Sequence, residues 1–424
     1  MTHTDAEIDR TTEVVVAAQD EIQRTVQQPV WLRGFHRAGD IWPELEADTM
    51  FLHAGPPLDG REPRPPMLGA MTGLLRQRGR NVTVDQVRSM VADGSITMAS
   101  CHSHGAVGAM AGIVGANTPM VVVEAAGGAL GYAPLNEGLG SALRFGDFDP
   151  GTLGHLRELT EVVSPALTRA VHAAPEINIT QMQADASRRG DECHNRNVAA
   201  SSMFVTRIAP YIVRTSDRKI AEATFAELSA NGHFFLAMSM AASKLTADQL
   251  QGKNIPGLVT AISSNGHTTG IRVSGLDGWF SHPIDIDVFQ PLAGRSIADA
   301  DHPVGDSSVT ETTGLGAMIL TNAPRLAKAL GWTIERARQH VDEMREICVT
   351  TRTDIQVPTE DFEPGPLGID VHKTLQAGHM PGFSGGFAHR DPGQGRVGFG
   401  LVRVDRQAFV NAATALAANG NGHG

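Results

Sequence analysis

An alternation of short apolar strands, glycine-bearing loops and helical segments is the feature that most restricts the fold of this sequence. The stretches TMFLHAG, SITMAS and PMVVVEA, between residues 48 and 125, are typical of strands. Apolar residues at helical spacing separate the first two, and Thr83 and Gln86 match a capping box. A glycine-bearing turn, predicted to lead into a helix, follows SITMAS. Such alternation indicates parallel strands with crossover helices. We therefore predict an α/β fold with a parallel-sheet domain over residues 48–150.

The rest of the chain divides by the same patterns. Residues 1–47 contain an amphipathic helix and are predicted to form an N-terminal helical segment. Residues 151–250 show helical periodicity throughout and are predicted to form a helical domain. Strand patterns return in residues 251–414, predicted as an α+β domain, where Asn265–Gly266 is a favoured hairpin dipeptide. Residues 415–424 are predicted to be a disordered tail.

Composition and charge limit the classes of partner. The formal net charge of −11 opposes a nucleic-acid groove or an anionic membrane surface as the main partner. No run of about 18 apolar residues occurs, so the sequence predicts no membrane span. The three cysteines lie far apart and indicate no disulfide framework, which favours a reducing compartment. We expect a cytoplasmic protein that takes a small-molecule substrate and forms a homo-oligomer.

The densest polar stretch is GDECHNRN, residues 190–197. Glu192 or His194 could move a proton there, and Asn197 could orient a substrate. The alternative is a structural network of helix caps and hydrogen bonds between domains, because polar clusters mark both functional sites and structural networks.

A second group of polar residues follows the predicted parallel strands, beyond whose carboxyl ends ligands bind in such sheets. His53 and the stretch CHSHG, residues 101–105, fall there. Cys101, His102 and His104 could join His53 as zinc ligands, but C-H-x-H is not a standard spacing, and a lone Cys is usually a small buried hydrophobe. A metal site and a Cys101 nucleophile remain alternatives. We predict no cofactor and favour a site without a divalent metal.

Two arginines are candidates for binding an anion. Arg144, in LNEGLGSALRFG, suits a carboxylate or phosphate fork, with a surface ion pair as the alternative. Arg272 lies within an apolar strand, where an unpaired charge is costly. We expect it to pair with Asp306 or Glu311, or to face a ligand. The signatures of P-loop and dinucleotide-binding proteins, zinc proteases and α/β-hydrolases do not occur.

Nine motifs in one order give the sequence a family resemblance. They are FLHAGPP, CHxxxAVGxMxG, PMVVVE, LNEGLGxxxRFG, GDECHNRN, NGxxxGIRVSG, GDSxxTETxGxG, LGIDVHK and GxAH[RK]xxGxGxxGxG. Over residues 48–404 the chain resembles the family of the large component of bacterial oxamate carbamoyltransferase. The resemblance implies a Rossmann-like domain with smaller helical and α+β domains.

The resemblance also implies a function. Members are similar to an enzyme system that exchanges a carbamoyl group between oxalurate and phosphate, late in allantoin degradation and thus in nitrogen metabolism. It implies carbamoyl phosphate or a ureide as substrate, oxamate as acceptor, and companion subunits, one of which resembles acyl-CoA synthetase subunits. Familiar members read close to CHHVNAVG where this chain has CHSHGAVG. Because a loop at a strand end sets acceptor specificity, the acceptor stays open.

We therefore predict a carbamoyltransferase or a subunit of one. An amidohydrolase or ring-opening enzyme for a cyclic imide or ureide is one alternative, and a non-catalytic scaffold subunit is another. The predicted catalytic residues are His194, Glu192 and Glu311. The predicted substrate-binding residues are polar side chains from all the stretches above: His53, Cys101, His102, His104, Asn136, Glu137, Arg144, Asn197, Asn265, Arg272, Asp306 and His389.

Overall fold

The computed structural model of the protein describes residues 5–108 and 110–420, and two small sheets lie in its first third. The helices and strands of this part are α1 (Asp5–Val26), β1 (Val30–Arg37), α2 (Ala38–Ile41), β2 (Met50–His53), α3 (Pro65–Gln77), α4 (Val84–Ala92), β3 (Thr97–Ser100), β4 (Pro119–Ala125) and β5 (Leu130–Pro134). The Thr83 side chain accepts the N–H of Gln86, and the Gln86 side chain accepts the N–H of Thr83. The predicted capping box at the start of α4 is therefore confirmed.

The predicted parallel arrangement holds for one pair of strands and fails for the third. β2 and β3 are parallel, with His53 opposite Ser100, and α3 and α4 form the crossover between them. β4, in contrast, lies antiparallel between β1 and β5. Only a short 3-10 turn, Cys101–His104, follows β3 where a helix was predicted. Without a crossover helix, β4 pairs instead with β1, a strand from the segment predicted as helical.

The middle of the chain is helical, as the periodicity predicted. It contains α5 (Pro150–Glu158), α6 (Ser164–Ala173), α7 (Ile179–Ser187), α8 (Val198–Thr215), α9 (Arg218–Ala230) and α10 (Phe235–Gln251). α10 is buried along most of its length and packs against β4 and β5. Phe35 of β1 joins this core, with its ring centroid 6.5 Å from that of Phe204 and 6.2 Å from that of Phe234.

Strands return in the last third, which contains three antiparallel sheets. The elements are β6 (Val259–Asn265), β7 (Thr268–Val273), β8 (Phe280–Pro283), β9 (Asp285–Pro291), β10 (Val304–Gly305), α11 (Val309–Thr312), α12 (Pro324–Ala329), α13 (Ile334–Glu346), β11 (Cys348–Val357), β12 (Glu363–Ile369), α14 (Val371–Ala377), β13 (Gly382–Ala388), β14 (Arg396–Arg403) and α15 (Arg406–Gly420). The strand orders are β10-β6-β7-β8, β13-β14-β9 and β11-β12. The chain thus combines helices with small sheets instead of one large parallel sheet.

Two local predictions for this part have opposite outcomes. The hairpin at Asn265–Gly266 is confirmed, since β6 and β7 pair antiparallel on either side of it. The disordered tail is wrong for residues 415–420, because α15 continues to Gly420 after packing Phe409 and Ala412 into the core. Residues 421–424 lie outside the described residues. Among the described helices, none has both the length and the apolar character needed to cross a bilayer.

Candidate functional site at two adjoining polar clusters

A cavity of about 1130 Å³ opens at the carboxyl ends of the parallel strands β2 and β3. We call it the strand-end cleft. Side chains from both strand ends and from the β7–β8 region line it, including His53, Ser100, His102, Ser103, Arg272 and Trp279. Parallel strands end at the same edge of a sheet, so the parallel pair places the residues that follow both strands around one opening.

His102 and Asp306 form a buried polar contact beside the strand-end cleft. Nε2 of His102 lies 3.1 Å from Oδ1 of Asp306, with the side chains 3% and 0% exposed, although the contact is not aligned as a hydrogen bond. Asp306 also accepts the N–H groups of Gly55 and Gly108, each at 2.7 Å, and the hydroxyl of Ser263. Burial acts to raise the pKa of Asp306, but His102, Ser263 and Gly108 outweigh it and lower that pKa. Asp306 is therefore a buried carboxylate that lies beside the His102 ring.

His53, Arg272 and Trp279 surround His102. Burial lowers the pKa of His53, so its imidazole is neutral at pH 7, and its Nδ1 lies 2.8 Å from the carbonyl oxygen of Ala54. Arg272 is half-buried and forms an ion pair with neither Asp306 nor Glu311, so its charge faces the strand-end cleft. The Trp279 ring meets the His102 ring edge-on, with centroids 4.8 Å apart.

Cys101 and His104 of the CHSH turn are not among the residues that line the strand-end cleft. Cys101 is buried, and burial raises the pKa of its thiol well above the ordinary value, so it is not poised as a thiolate nucleophile. His104 packs edge-on against Trp42, with ring centroids 6.1 Å apart. Within residues 5–108 and 110–420, no three His, Cys, Asp or Glu side chains are grouped so that they could hold a metal ion. His53, Cys101, His102 and His104 therefore do not form such a group.

Asn265 uses its polar atoms within the fold. Its buried amide nitrogen donates to the carbonyl oxygen of Pro56 at 3.0 Å, and its oxygen accepts the N–H groups of His267 and Thr268, both at 2.9 Å. Gly55, at φ +86°, lies so close to the hairpin that an added Cβ would be 2.5 Å from the backbone nitrogen of Asn265. These contacts fasten the loop after β2 to the β6–β7 hairpin.

A second polar group lies inside the protein, between the GDECHNRN stretch and α11. We call Glu192, His194 and Glu311 the glutamate cluster. Nδ1 of His194 is 2.8 Å from Oε1 of Glu311, with the two side chains 2% and 0% exposed. Glu192 accepts the N–H of His194 at 3.1 Å and that of Arg196 at 2.5 Å. The structure therefore brings the three residues predicted as catalytic into one cluster.

The charges of the glutamate cluster depend on each other. Burial raises the pKa of Glu192 to about 7, because the attraction of His194 does not compensate and Glu311 repels a second negative charge. Burial opposes charge on His194, yet Glu311 and Glu192 prevail and raise the pKa of the imidazole above its ordinary value. The paired Glu311 and nearby Glu192 therefore favour the charged form of His194, while Glu192 can both take up and release a proton near neutral pH.

The remaining polar residues of GDECHNRN hold the stretch in place. The amide nitrogen of Asn195 donates to the carbonyl oxygen of Ser384 at 2.8 Å, and Nε of Arg196 donates to the carbonyl oxygen of Gly190 at 2.8 Å. The amide nitrogen of Asn197 donates to the carbonyl oxygen of His194 at 2.6 Å. These three side chains match the alternative of a structural network.

The stretch LNEGLGSALRFG is a loop that closes on itself. The buried Asn136 side chain accepts the N–H of Gly138 at 2.9 Å. The Glu137 carboxylate accepts the N–H groups of Leu143 and Arg144, at 2.7 and 3.2 Å. Both residues, predicted as substrate-binding, thus position Arg144.

Arg144 and Arg396, which we call the arginine pair, lie against one aromatic ring. Their Cζ atoms are 4.4 and 5.7 Å from the centroid of Phe145. Burial lowers the pKa of Arg144 to about 10, although the nearby Glu137 acts in the opposite direction. Burial is the largest cause that lowers the pKa of His233 to about 4, and the charges of the arginine pair and His194 act in the same direction.

One segment of the chain connects the strand-end cleft with the glutamate cluster. Asp306 and Glu311 are five positions apart, on either side of the start of α11. Met110 lies between the two sides: a Cβ on Gly305 would be 3.0 Å from its backbone nitrogen, and one on Gly386 would be 3.3 Å from its Cε. The two polar groups are therefore neighbours.

Some residues were predicted but lie elsewhere, and others were missed. His389, in the turn after β13, accepts the N–H of Asp391 at 2.9 Å and belongs to neither group. Arg396, His233 and Trp279 were not predicted. The signal for Arg396 was present, since an arginine opens a glycine-rich strand in GQGRVGFG, but nothing in its position along the chain connects it with Arg144.

Comparisons with known proteins identify the family of the chain. The family model described as oxamate carbamoyltransferase subunit AllG matches residues 96–307. Oxamate carbamoyltransferase subunit AllG of Escherichia coli (strain K12) is 35% identical over 407 residues, which cover 95% of this chain and 96% of that protein. The chain belongs to the AllG family. The matched segment contains the CHSHG turn, GDECHNRN and Asp306, whereas His53 and Glu311 lie outside it.

Two further proteins are similar to this chain over most of its length. The uncharacterized protein YahG of Escherichia coli (strain K12) is 32% identical over 402 residues, covering 94% of this chain and 85% of YahG. A crystal structure of a conserved protein of unknown function from Enterococcus faecalis V583 superimposes with a TM-score of 0.88 at 34% identity, covering 95% of this chain and 98% of that one.

Proposed function

We propose that the protein is a carbamoyltransferase subunit that moves a carbamoyl group between phosphate and the nitrogen of a small amide such as oxamate. Membership of the AllG family supports the reaction class. The observation that carries the proposal is the glutamate cluster: a buried His–Glu pair beside a second carboxyl group that changes protonation near neutral pH.

The reaction sets clear demands. The amide nitrogen attacks the carbonyl carbon of carbamoyl phosphate, and a C–N bond forms as a negative charge develops on the carbonyl oxygen. The C–O bond to the phosphate then breaks, phosphate leaves, and the nitrogen loses one proton. The site must therefore supply a proton acceptor, a donor for the oxyanion and cations for the phosphate.

The glutamate cluster meets the first two demands. We assign Glu192 as the acceptor of the amide proton, since its pKa of about 7 lets the carboxylate form accept a proton at neutral pH and later return it to water. We assign His194, oriented through Nδ1 by Glu311, as the hydrogen-bond donor to the developing oxyanion. Arg144 is assigned to the phosphate, and Arg272 in the strand-end cleft to the carboxylate of the acceptor before transfer.

The test measures consumption of carbamoyl phosphate with oxamate and a panel of other amides. The full chain is assayed alone and with the companion subunits that the family implies. We expect His194→Gln and Glu192→Gln to reduce the rate by roughly 100-fold or more. His172→Gln, which changes an exposed imidazole on α6, is the control and should retain the rate. Full rates in both cluster variants would refute the assignment, and wild-type activity only with companions would show a subunit-dependent enzyme.

The contact between His102 and Asp306 favours a second candidate, hydrolytic opening of a cyclic imide or ureide in the strand-end cleft. An imidazole beside a buried carboxylate and an open cavity is suited to activating water. Hydrolysis of a ureide panel that is lost in His102→Asn and kept in His194→Gln would favour this reaction. Carbamoyl transfer that is lost in His194→Gln and kept in His102→Asn would favour the carbamoyltransferase.

A further inference from the structure

We propose that Arg396, together with Arg144, forms a binding site for a phosphoryl dianion. The proposal rests on the proposed function, since it identifies this group as the phosphate of the carbamoyl donor. Arg396 was not predicted as a site residue from the sequence. Its assignment comes from the contacts around the Phe145 ring.

The guanidinium of Arg144 is held but its charge is not neutralised. It donates from Nε to the carbonyl oxygen of Gly138 at 3.1 Å, and a second nitrogen donates to the same oxygen. The Glu137 carboxylate is committed to two backbone N–H groups and forms no ion pair with it. A backbone carbonyl and an aromatic ring fix the orientation of a guanidinium and leave room for an anion.

The guanidinium of Arg396 has fewer hydrogen-bond partners than that of Arg144. Its Nε is buried and has no hydrogen-bond partner among the described residues. Burial lowers its pKa, and no carboxylate acts in the opposite direction. The structure places no carboxylate of residues 5–108 or 110–420 in an ion pair with this guanidinium. A buried cation without a counter-ion is costly, and a bound anion would remove that cost.

The surroundings favour a dianion. Two guanidiniums converge on Phe145, with their Cζ atoms 4.4 and 5.7 Å from the centroid of the ring. Gly386 of β13 keeps the approach open, because a Cβ there would lie 3.3 Å from Cδ of Arg396 and 3.4 Å from Phe145. Guanidinium groups are the usual partners of phosphate oxygens, and two of them match a doubly charged group better than a single carboxylate.

The experiment measures binding of inorganic phosphate to the purified full chain by isothermal titration calorimetry, without turnover. We expect saturable binding to the wild type and a loss of roughly 10-fold or more in affinity in Arg396→Gln, because a charge-assisted hydrogen bond is removed. Arg396→Lys keeps the charge and should recover part of the affinity. Arg390→Gln removes an exposed arginine six positions earlier and should bind as the wild type does.

Each outcome decides the proposal. Absent phosphate binding in the wild type, or equal affinity in Arg396→Gln with an unchanged unfolding midpoint, would overturn it. If oxamate and not phosphate loses affinity in Arg396→Gln, the site holds the acceptor carboxylate and the phosphoryl assignment is wrong. The His194→Gln variant separates this proposal from the proposed function: it should still bind phosphate even if carbamoyl transfer is lost.

Discussion

Replacing Glu192 with glutamine should change how the stability of the protein depends on pH. Glu192 is fully buried, and its pKa rises from 4.5, the ordinary value for a glutamic acid, to about 7 in the folded state. Between these values the unfolded chain releases its proton while the folded protein keeps it. The unfolded state then binds fewer protons, so this residue lowers the free energy of unfolding as the pH rises from about 4.5 to about 7.

The size of the effect follows from the pKa interval. At 1.36 kcal/mol per unit, the interval corresponds to about 3 kcal/mol, an upper value because the protonation of Glu192 is linked to that of the neighbouring His194. His194 acts in the same direction, since its raised pKa gives stability that is present below its unfolded value and lost as the pH rises through the folded value. Glutamine keeps the shape of Glu192 and removes its ionisation. Relative to the wild type, Glu192→Gln should therefore gain stability as the pH rises.

Urea denaturation at a series of pH values from 4.5 to 8 measures this difference. The difference between variant and wild type, not the absolute stability, is the informative quantity, because other groups titrate in both proteins. Glu161→Gln, which changes an exposed glutamate after α5, provides the control and should give a flat difference. A flat difference for Glu192→Gln as well would show that the pKa of Glu192 is the same in the folded and unfolded states, and its role as a proton acceptor near pH 7 would be lost.

Three further predictions concern the loops and the thiols. Gly55→Ala should cost about 3 kcal/mol or more of unfolding free energy, since a Cβ at φ +86° would press on the backbone of Asn265; a loss below 1 kcal/mol in urea denaturation would contradict the close approach. Asn265→Ala should cost about 2 kcal/mol, because buried partners at Pro56 and Thr268 lose their hydrogen bonds, and an unchanged urea midpoint would contradict the anchoring role. A thiol reagent should leave the native protein unlabelled and react with Cys101, Cys193 and Cys348 after unfolding, because all three are buried; fast labelling of the native protein would contradict their burial.

Local sequence signals predicted the elements well and their arrangement less well. The capping box at Thr83, the Asn265–Gly266 hairpin and the helical middle of the chain follow from short-range patterns, and the structure confirms them. The strand that pairs with β4 was not predicted, because an apolar strand has the same sequence pattern in a parallel and an antiparallel sheet. Only the missing crossover helix after Cys101–His104 decides between the two, and glycine-bearing loops resemble helix starts in a single sequence.

The residues of the site divide in a similar way. The density of polar groups in GDECHNRN identified Glu192 and His194, and the structure brings Glu311 to them over a sequence separation of 117 residues from His194. Asn265 and Asn136 were chosen because they are polar, yet both bond to backbone groups, a role that sequence alone does not distinguish from ligand binding. Arg396 was missed because a single arginine in a sequence does not indicate a binding site unless its neighbours in space are known.

The segment from Asp306 to Glu311 sets a covalent limit on the geometry of the whole site. Five residues, even fully stretched, reach at most about 18 Å, and the helical turn of α11 shortens this further. Neither acid can be displaced without pulling on the other, so an insertion or deletion of one residue in this segment would misplace at least one of them. The length of this stretch should therefore tolerate far less variation than the sequence around it.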